Sequence, residues 1–140
     1  MAGVNRRIDQ IEVDPTGRTS KDPGAKVDDG KAPLWQGIFD YFPLALEEVS
    51  MVSKAGAEKY TWKGWITVPD GINRYSNAML RHLADVATGE VYDSEPGGTN
   101  RLHMAQVAWN ALAVLELTLI EMEEEGYGEF SDELPEVSVE

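Results

Sequence analysis

The sequence predicts an all-α protein, a helical bundle that is completed by oligomerisation. Apolar residues recur at three- and four-residue steps in three separate segments, and stretches rich in glycine and proline divide these segments. A length of 140 residues with 42% hydrophobic residues is sufficient for one domain with an ordinary core. Three amphipathic helices still need a further packing partner, which comes either from an aromatic loop region or from another subunit.

Three helices follow from the apolar spacing. The first is predicted from Pro43 to Ala57, and an ordered aromatic loop follows over 58–73. The second helix is predicted over 74–88 and the third over 101–124, with Asn73 and Asn100 as their N-caps. The core of the third helix is predicted to be Leu102, Ala105, Trp109, Leu112, Leu115, Leu119 and Met122.

The remaining segments give the domain organisation. Residues 1–31 are rich in Gly, Asp, Lys and Pro and are predicted to be a flexible or loop-like arm. Residues 32–125 form the helical domain that carries the candidate site, and residues 126–140 form an acidic tail.

Charge and composition exclude several classes of protein. The net charge is -13, and the part that follows Arg101 holds ten acids and no lysine or arginine. Direct binding of DNA or RNA is not expected, because it requires clustered basic residues, whereas a nucleotide can still bind through a divalent cation. The absence of cysteine and of a long apolar run favours a cytoplasmic protein without membrane contact.

The chemistry-bearing residues concentrate between positions 81 and 110. His82 and Asp85 lie three residues apart on the second helix, and His103, Gln106 and Asn110 form a polar ridge on the third. If the Pro-Gly-Gly turn makes these helices antiparallel, Glu90 and Asp93 come to the mouth between them. Imidazoles with carboxylates suit Mg²⁺ or Mn²⁺. The alternative is that the histidines are packed or surface residues and the acids belong to an ordinary loop.

Other candidates lie outside this stretch. Glu47 and Glu48 on the first helix either face the site or are solvent-facing acids. Trp62 and Trp65 either stack on a base or plug the end of the bundle. The arm containing Lys26 and Lys31 is either a phosphate contact or a solvated linker.

Three segments together carry a resemblance to a known family. They read GAKVDDGKAPL, GAEKYTWKGW and RYSNAMLRHLADVATGEVYDSEPGGTNRLHMAQVAWNALAVLEL. Their combination resembles the phage-encoded dATP/dGTP diphosphohydrolase-type domain, a group related to the MazG-like nucleotide pyrophosphohydrolases. The resemblance implies a MazG-like all-α fold and Mg²⁺-dependent hydrolysis of a dGTP- or dATP-like triphosphate to monophosphate and pyrophosphate. For a phage protein, the expected location is the host cytoplasm.

The resemblance also implies roles for individual residues. MazG-like enzymes place metal ligands on an EExxE helix and on a later ExxD pair, which correspond here to Glu47, Glu48, Glu90 and Asp93, with Met51 in place of the third acid of EExxE. His82, Asp85 and His103 are the expected catalytic residues. The expected nucleotide-binding residues are Lys26, Lys31, Lys59, Tyr60, Trp62, Trp65, Arg81 and Asn110.

Two other functions are compatible with the same residues. The missing acid at Met51 favours a non-catalytic phage protein that sequesters a nucleotide on the same scaffold as a sponge or decoy. A helical interaction module whose acidic tail mimics nucleic acid is the third possibility.

Overall fold

The computed structural model describes residues 12–126, which contain three α-helices: α1 Pro43–Lys59, α2 Gly71–Ala87 and α3 His103–Glu124. Within this range there are no β-strands, only isolated bridges that pair Val13 with Thr19 and Tyr92 with Leu102. The predicted all-α class is therefore confirmed. The chain divides into two compact units, with the boundary between Tyr41 and Phe42. The predicted arm and tail boundaries stay predictions.

The first unit contains a loop built around one carboxylate. Asp14 is 6% exposed, and its Oδ1 accepts hydrogen bonds from the backbone N–H groups of Thr16 and Arg18, at 2.9 and 2.8 Å, and from the Thr16 hydroxyl at 2.8 Å. Its Oδ2 accepts a bond from the backbone N–H of Lys26 at 3.3 Å. Further along, Trp35–Phe39 forms one π-helical turn.

In the second unit, α1 packs against α3. The helix begins at Pro43, as predicted, because a proline in the first turn has no helical hydrogen bond to lose. Two side-chain contacts join α1 to α3 and the residues just before it: Trp109 Nε1 donates to Ser53 Oγ at 2.9 Å, and Arg101 forms an ion pair with Glu48 at 3.2 Å. The earlier residue on α1, Glu48, pairs with the earlier residue Arg101, and the later residue, Ser53, pairs with the later residue Trp109. The two helices therefore run in the same direction.

The larger helix interface joins α2 to α3, and these helices are antiparallel. His82 near the end of α2 meets His103 at the start of α3, whereas a Cβ on Gly71 at the start of α2 would touch Leu117 far along α3. The predicted antiparallel pairing is confirmed. It brings the polar ridges of both helices to the same end of the pair.

Both predicted N-caps are wrong. The residue that precedes α2 is Asp70, and Asn73 lies within the first turn, where its amide donates to the Asp70 carboxylate at 3.1 Å. The residue that precedes α3 is Leu102, and no side chain caps that helix. Asn100 has a φ of 57°, so it belongs to the preceding turn.

The predicted aromatic loop contains a short 3₁₀ helix, Gly64–Thr67. Trp65 in this helix contacts Tyr75 and Trp109 edge to face, with ring centroids 6.1 and 5.7 Å apart. Tyr75 also donates its hydroxyl proton to the Trp65 carbonyl at 2.8 Å. Trp65 therefore packs against the α2–α3 pair, whereas Trp62 remains 71% exposed.

The buried positions of α3 include polar residues as well as Ala105 and Ala113. His103, Gln106 and Asn110 are 2, 7 and 5% exposed, whereas Leu112 and Leu115 are 52 and 54% exposed. Placing Leu112 and Leu115 in the core was wrong for a single chain, because α1 contacts α3 at Trp109 and α2 contacts it at His103 and Leu117, which leaves these two leucines uncovered. The helix is long and apolar enough to cross a membrane by length and composition, a test that the central helix of a soluble bundle also passes.

Candidate active site

Two imidazole rings meet where the end of α2 faces the start of α3. The Nδ1 atoms of His82 and His103 are 2.9 Å apart, and the ring centroids are 5.1 Å apart. Two N–H groups cannot face each other at this distance, so at least one Nδ1 presents a lone pair. The three-residue spacing of His82 and Asp85 on α2 is what turns the acid toward the same point.

Acidic groups lie on both sides of the His103 ring. Asp85 Oδ2 is 3.8 Å from Nδ1, and Glu90 Oε1 is 3.2 Å from Nε2. Although Glu90 is close, Nε2 is buried without an aligned hydrogen bond. One ligand atom each from His82, Asp85 and His103 lies within 4.8 Å of the others.

Asp93 is held beside this cluster by its own loop. Its Oδ2 accepts bonds from the Thr99 backbone N–H at 3.0 Å and from Gln106 Nε2 at 2.6 Å, and Gln106 Nε2 lies 2.8 Å from the Thr99 hydroxyl. The loop wraps so tightly that a Cβ at Gly98 would lie 2.6 Å from Asp93 Oδ1. The sequence placed Gln106 on the polar ridge of the predicted site, by its i+3 spacing from His103, but indicated neither its contact with Asp93 nor any part for Thr99.

The electrostatics of the site favour a neutral His82 and an ionised Asp93. Burial is the main cause that lowers the pKa of His82; the Asp93 carboxylate acts to raise this pKa, and charge repulsion between the two imidazoles acts to lower it. Burial acts to raise the pKa of Asp93, but the hydrogen bonds from Gln106 and Thr99 and the nearby imidazoles together lower it. A neutral imidazole is the form that can bind a cation.

The donor set fits a divalent metal ion. It offers two imidazole nitrogens and one carboxylate oxygen, and the buried His103 ring is held so that Nδ1 faces the other donors. Such mixed nitrogen and oxygen donors suit first-row transition metals, whereas Mg²⁺ is usually bound through oxygen.

A large open cleft of about 1490 Å³ adjoins the cluster, and His82 and Asp93 form part of its wall. This volume exceeds the roughly 300–1,000 Å³ of an ordinary ligand pocket, so a nucleotide would fill only part of it. Other predicted nucleotide-binding residues also line the cleft: Lys59, Tyr60, Trp62, Trp65, Arg81 and Asn110. Asn110 is buried there and donates to the Gln106 carbonyl at 2.8 Å.

Some predicted residues are not brought to the cluster. Glu47 is exposed, and Glu48 pairs with Arg101, a partner that the sequence did not indicate. Lys26 and Lys31 belong to the first compact unit. The metal role of both glutamates and the phosphate role of both lysines stay predictions.

Comparison with known proteins gives one match. No curated protein and no solved structure matches the chain. The family described as "dATP/dGTP diphosphohydrolase, N-terminal" matches residues 21–126, which include α1, α2, α3 and every residue of the cluster. The chain therefore belongs to the dATP/dGTP diphosphohydrolase N-terminal family.

Proposed function

We propose that the protein hydrolyses a purine deoxynucleoside triphosphate, dATP or dGTP, to the monophosphate and pyrophosphate with the help of a divalent cation. The observation that carries this proposal is the cluster of His82, Asp85 and His103 beside a cleft that holds cationic and aromatic side chains. The family description supports the reaction class and the purine base.

The reaction needs little covalent chemistry from the protein. The oxygen of a water molecule forms a bond to the α-phosphorus, the anhydride bond between that phosphorus and the pyrophosphate group breaks, and the proton that the water loses passes to the solvent. A bound divalent cation would supply charge neutralisation for the phosphates and a more acidic water. His82 and His103 would hold it with Asp85, while Asp93 keeps a negative charge beside both imidazoles.

The cleft offers separate groups for the two ends of a nucleotide. Lys59, Arg81 and also Arg74 line it and carry the positive charge that a triphosphate requires. Tyr60 and Trp62 are 72 and 71% exposed at the cleft, so their rings are accessible for stacking on a base. Trp65 supports this wall through its contacts with Tyr75 and Trp109.

A product analysis tests the reaction. The full chain is incubated with each of the four deoxynucleoside triphosphates and Mg²⁺ or Mn²⁺, and the phosphate products are separated. We expect pyrophosphate with dATP or dGTP, and loss of its release in Asp85→Asn. Glu116→Gln, an exposed α3 acid, serves as the control and should leave the rate unchanged.

The same assay separates this reaction from its alternatives. Release of triphosphate or of orthophosphate contradicts the proposed reaction. Recovery of intact nucleotide from the heat-denatured protein, without turnover of any nucleotide, would instead favour the sequestering protein.

We also infer that a second copy of the chain covers the exposed apolar side of α3. Met104, Leu112 and Leu115 are 50, 52 and 54% exposed. Large exposed apolar side chains mark a surface that a partner covers, and these three carry no charge that a second copy of a chain with a net charge of -13 would repel. Leu112→Lys should lower the mass measured by light scattering, whereas Leu44→Lys, at an 80% exposed position on α1, should not. A monomeric parent chain would contradict this inference.

A further inference from the structure

We propose that His82, Asp85 and His103 bind a first-row transition-metal dication in preference to Mg²⁺, through the Nδ1 atoms of both rings, and that Glu90 orients His103 for this purpose. The inference deepens the proposed function, on which it rests for the expectation that the site takes a divalent cation. It adds which class of ion binds, which nitrogen atoms hold it, and a role for Glu90.

The imidazole rings of His82 and His103 turn the same nitrogen, Nδ1, toward each other. They belong to different helices, yet both turn Nδ1 toward the same point, at a separation of 2.9 Å. Asp85 Oδ2 is 3.8 Å from one of these nitrogens. Three potential ligand atoms from two helices therefore converge, with His103 only 2% exposed.

The Glu90 carboxylate lies beside the other ring nitrogen of His103, Nε2. The Nε2 atom of His103 is buried without an aligned hydrogen bond, and among the described residues Glu90 Oε1, at 3.2 Å, is the acidic oxygen within reach of it. A carboxylate beside one ring nitrogen favours the tautomer with the proton on that nitrogen. His103 then carries its proton on Nε2 and presents the Nδ1 lone pair to the cluster. A carboxylate behind a metal-binding histidine commonly has this function.

The chemical type of the donor atoms determines which class of cation the cluster prefers. Imidazole nitrogen suits Mn²⁺, Fe²⁺, Co²⁺ and Zn²⁺, whereas Mg²⁺ prefers oxygen ligands and retains its water. Asp93 would make the donor set richer in oxygen, but among the described residues the converging donor atoms belong to His82, Asp85 and His103, and Asp93 Oδ2 is engaged by Thr99 and Gln106. His82 lies on the wall of the cleft, which gives an ion a path to the cluster.

The two histidines of the chain make a direct test possible, because selective ¹⁵N-histidine labelling yields only two rings. The full chain is titrated with Zn²⁺ in the absence of nucleotide, and the ring nitrogen resonances are followed. We expect the Nδ1 resonances of both rings to shift and to saturate at one equivalent. About a hundredfold excess of Mg²⁺ should not reverse these shifts.

Three variants sharpen the titration. Asp85→Asn should weaken Zn²⁺ binding because it removes a charged ligand. Glu90→Gln should weaken it by about 10–100-fold and move the His103 proton from Nε2 toward Nδ1 in the metal-free protein. The exposed Glu116→Gln should change neither quantity. The tautomer shift is a result that a merely structural role of Glu90 would not produce.

Several outcomes would overturn the inference. One is a shift that is confined to Nε2 or to one ring, and another is displacement of Zn²⁺ by Mg²⁺. A third is the absence of any shift on addition of Zn²⁺, which would mean that the two imidazoles only form a hydrogen bond with each other. The product analysis of nucleotide hydrolysis is independent of this titration. A chain that binds Zn²⁺ through both Nδ1 atoms but releases no pyrophosphate would contradict the proposed function and leave the metal site intact.

Discussion

Two aspartates in different parts of the chain use the same local chemistry for different ends. Asp14 and Asp93 each accept hydrogen bonds from the backbone N–H and the hydroxyl of a nearby threonine, Thr16 and Thr99 respectively. Both carboxylates have a lowered pKa, because these and neighbouring hydrogen bonds outweigh the effect of burial. A turn that stabilises a carboxylate anion therefore does not by itself indicate a site.

The difference lies in what else surrounds each carboxylate. Both oxygens of Asp14 accept backbone hydrogen bonds, and the first unit contains no histidine. Asp93 engages Oδ2 with its loop and with Gln106, and its charge acts on the buried His103 and on His82, which lies at the wall of the cleft. Asp14 holds a loop together, whereas Asp93 holds a loop and supplies charge to the cluster.

The largest expected effect is on the rate of pyrophosphate release, which should depend on Asp93 and not on Asp14. Asp93→Asn should lower the kcat of pyrophosphate release by about 10–100-fold, because it removes the negative charge that supports both imidazoles. Asp14→Asn should leave kcat unchanged, because Asp14 stabilises a loop of the first unit and is not among the residues that line the cleft. Steady-state kinetics with dATP or dGTP measures both variants. Equal losses of kcat in the two variants would show that the charge of Asp93 has no particular effect on the cluster.

The next largest effect is on the free energy of unfolding, and it differs between a glycine beside Asp93 and a glycine in the first unit. Gly98→Ala should destabilise the protein by about 1–3 kcal/mol, because its Cβ would lie 2.5 Å from the Asp93 carbonyl oxygen. Gly24→Ala meets no atom within 4 Å, and it should cost about 1–2 kcal/mol only because its φ is +82°. Urea unfolding measures both costs. Only Gly98→Ala should also reduce pyrophosphate release; full activity in that variant would show that Asp93 tolerates displacement.

The smallest effect is a change in the pKa of one carboxyl group. His82→Gln should bring the pKa of Asp93 part of the way back toward 3.8, because in acid a protonated His82 places a positive charge beside Asp93 and the variant removes it; the pKa of Asp14 should stay where it is. Titration of the carboxyl ¹³C resonances measures both values in metal-free protein. Parallel movement of the two values, or no movement of Asp93, would contradict the assigned interaction.

The same pKa direction predicts how acid affects stability. Because folding lowers the pKa of Asp93, its stabilisation is complete above the unfolded value of 3.8 and is lost as the pH falls through the lower folded value. Asp93→Asn should remove this part of the pH dependence from urea unfolding measured in acid. An unchanged dependence would mean that other carboxyl groups account for it.

The sequence predicted the elements better than their first residues. The start of α1 at Pro43 and the end of α3 at Glu124 agree with the structure, because proline and the apolar stripe mark them. The starts of α2 and α3 were missed because left-handed backbone at Asp70 and Asn100 forms turns that side-chain type does not reveal.

The spacing of polar residues predicted half of the candidate site. Because the i+3 step and antiparallel pairing are local rules, they were sufficient to bring His82, Asp85 and His103 together. The hydrogen bonds of Thr99 and Gln106 depend on the path of the loop through Gly98, which periodicity does not describe. Apolar spacing also could not predict which face of α3 is exposed, because both sides of that helix are rich in alanine and leucine.

The antiparallel pairing of α2 and α3 has a consequence for the order of folding. His82 and His103 are 21 residues apart, and Asp93 and Gln106 are 13 apart, whereas the contact of Ser53 with Trp109 spans 56 residues. Closing a short loop costs less chain entropy than closing a long one, and short-range contacts therefore form faster. We expect the cluster to assemble within the α2–α3 hairpin first, and α1 to dock afterwards on a site that already exists.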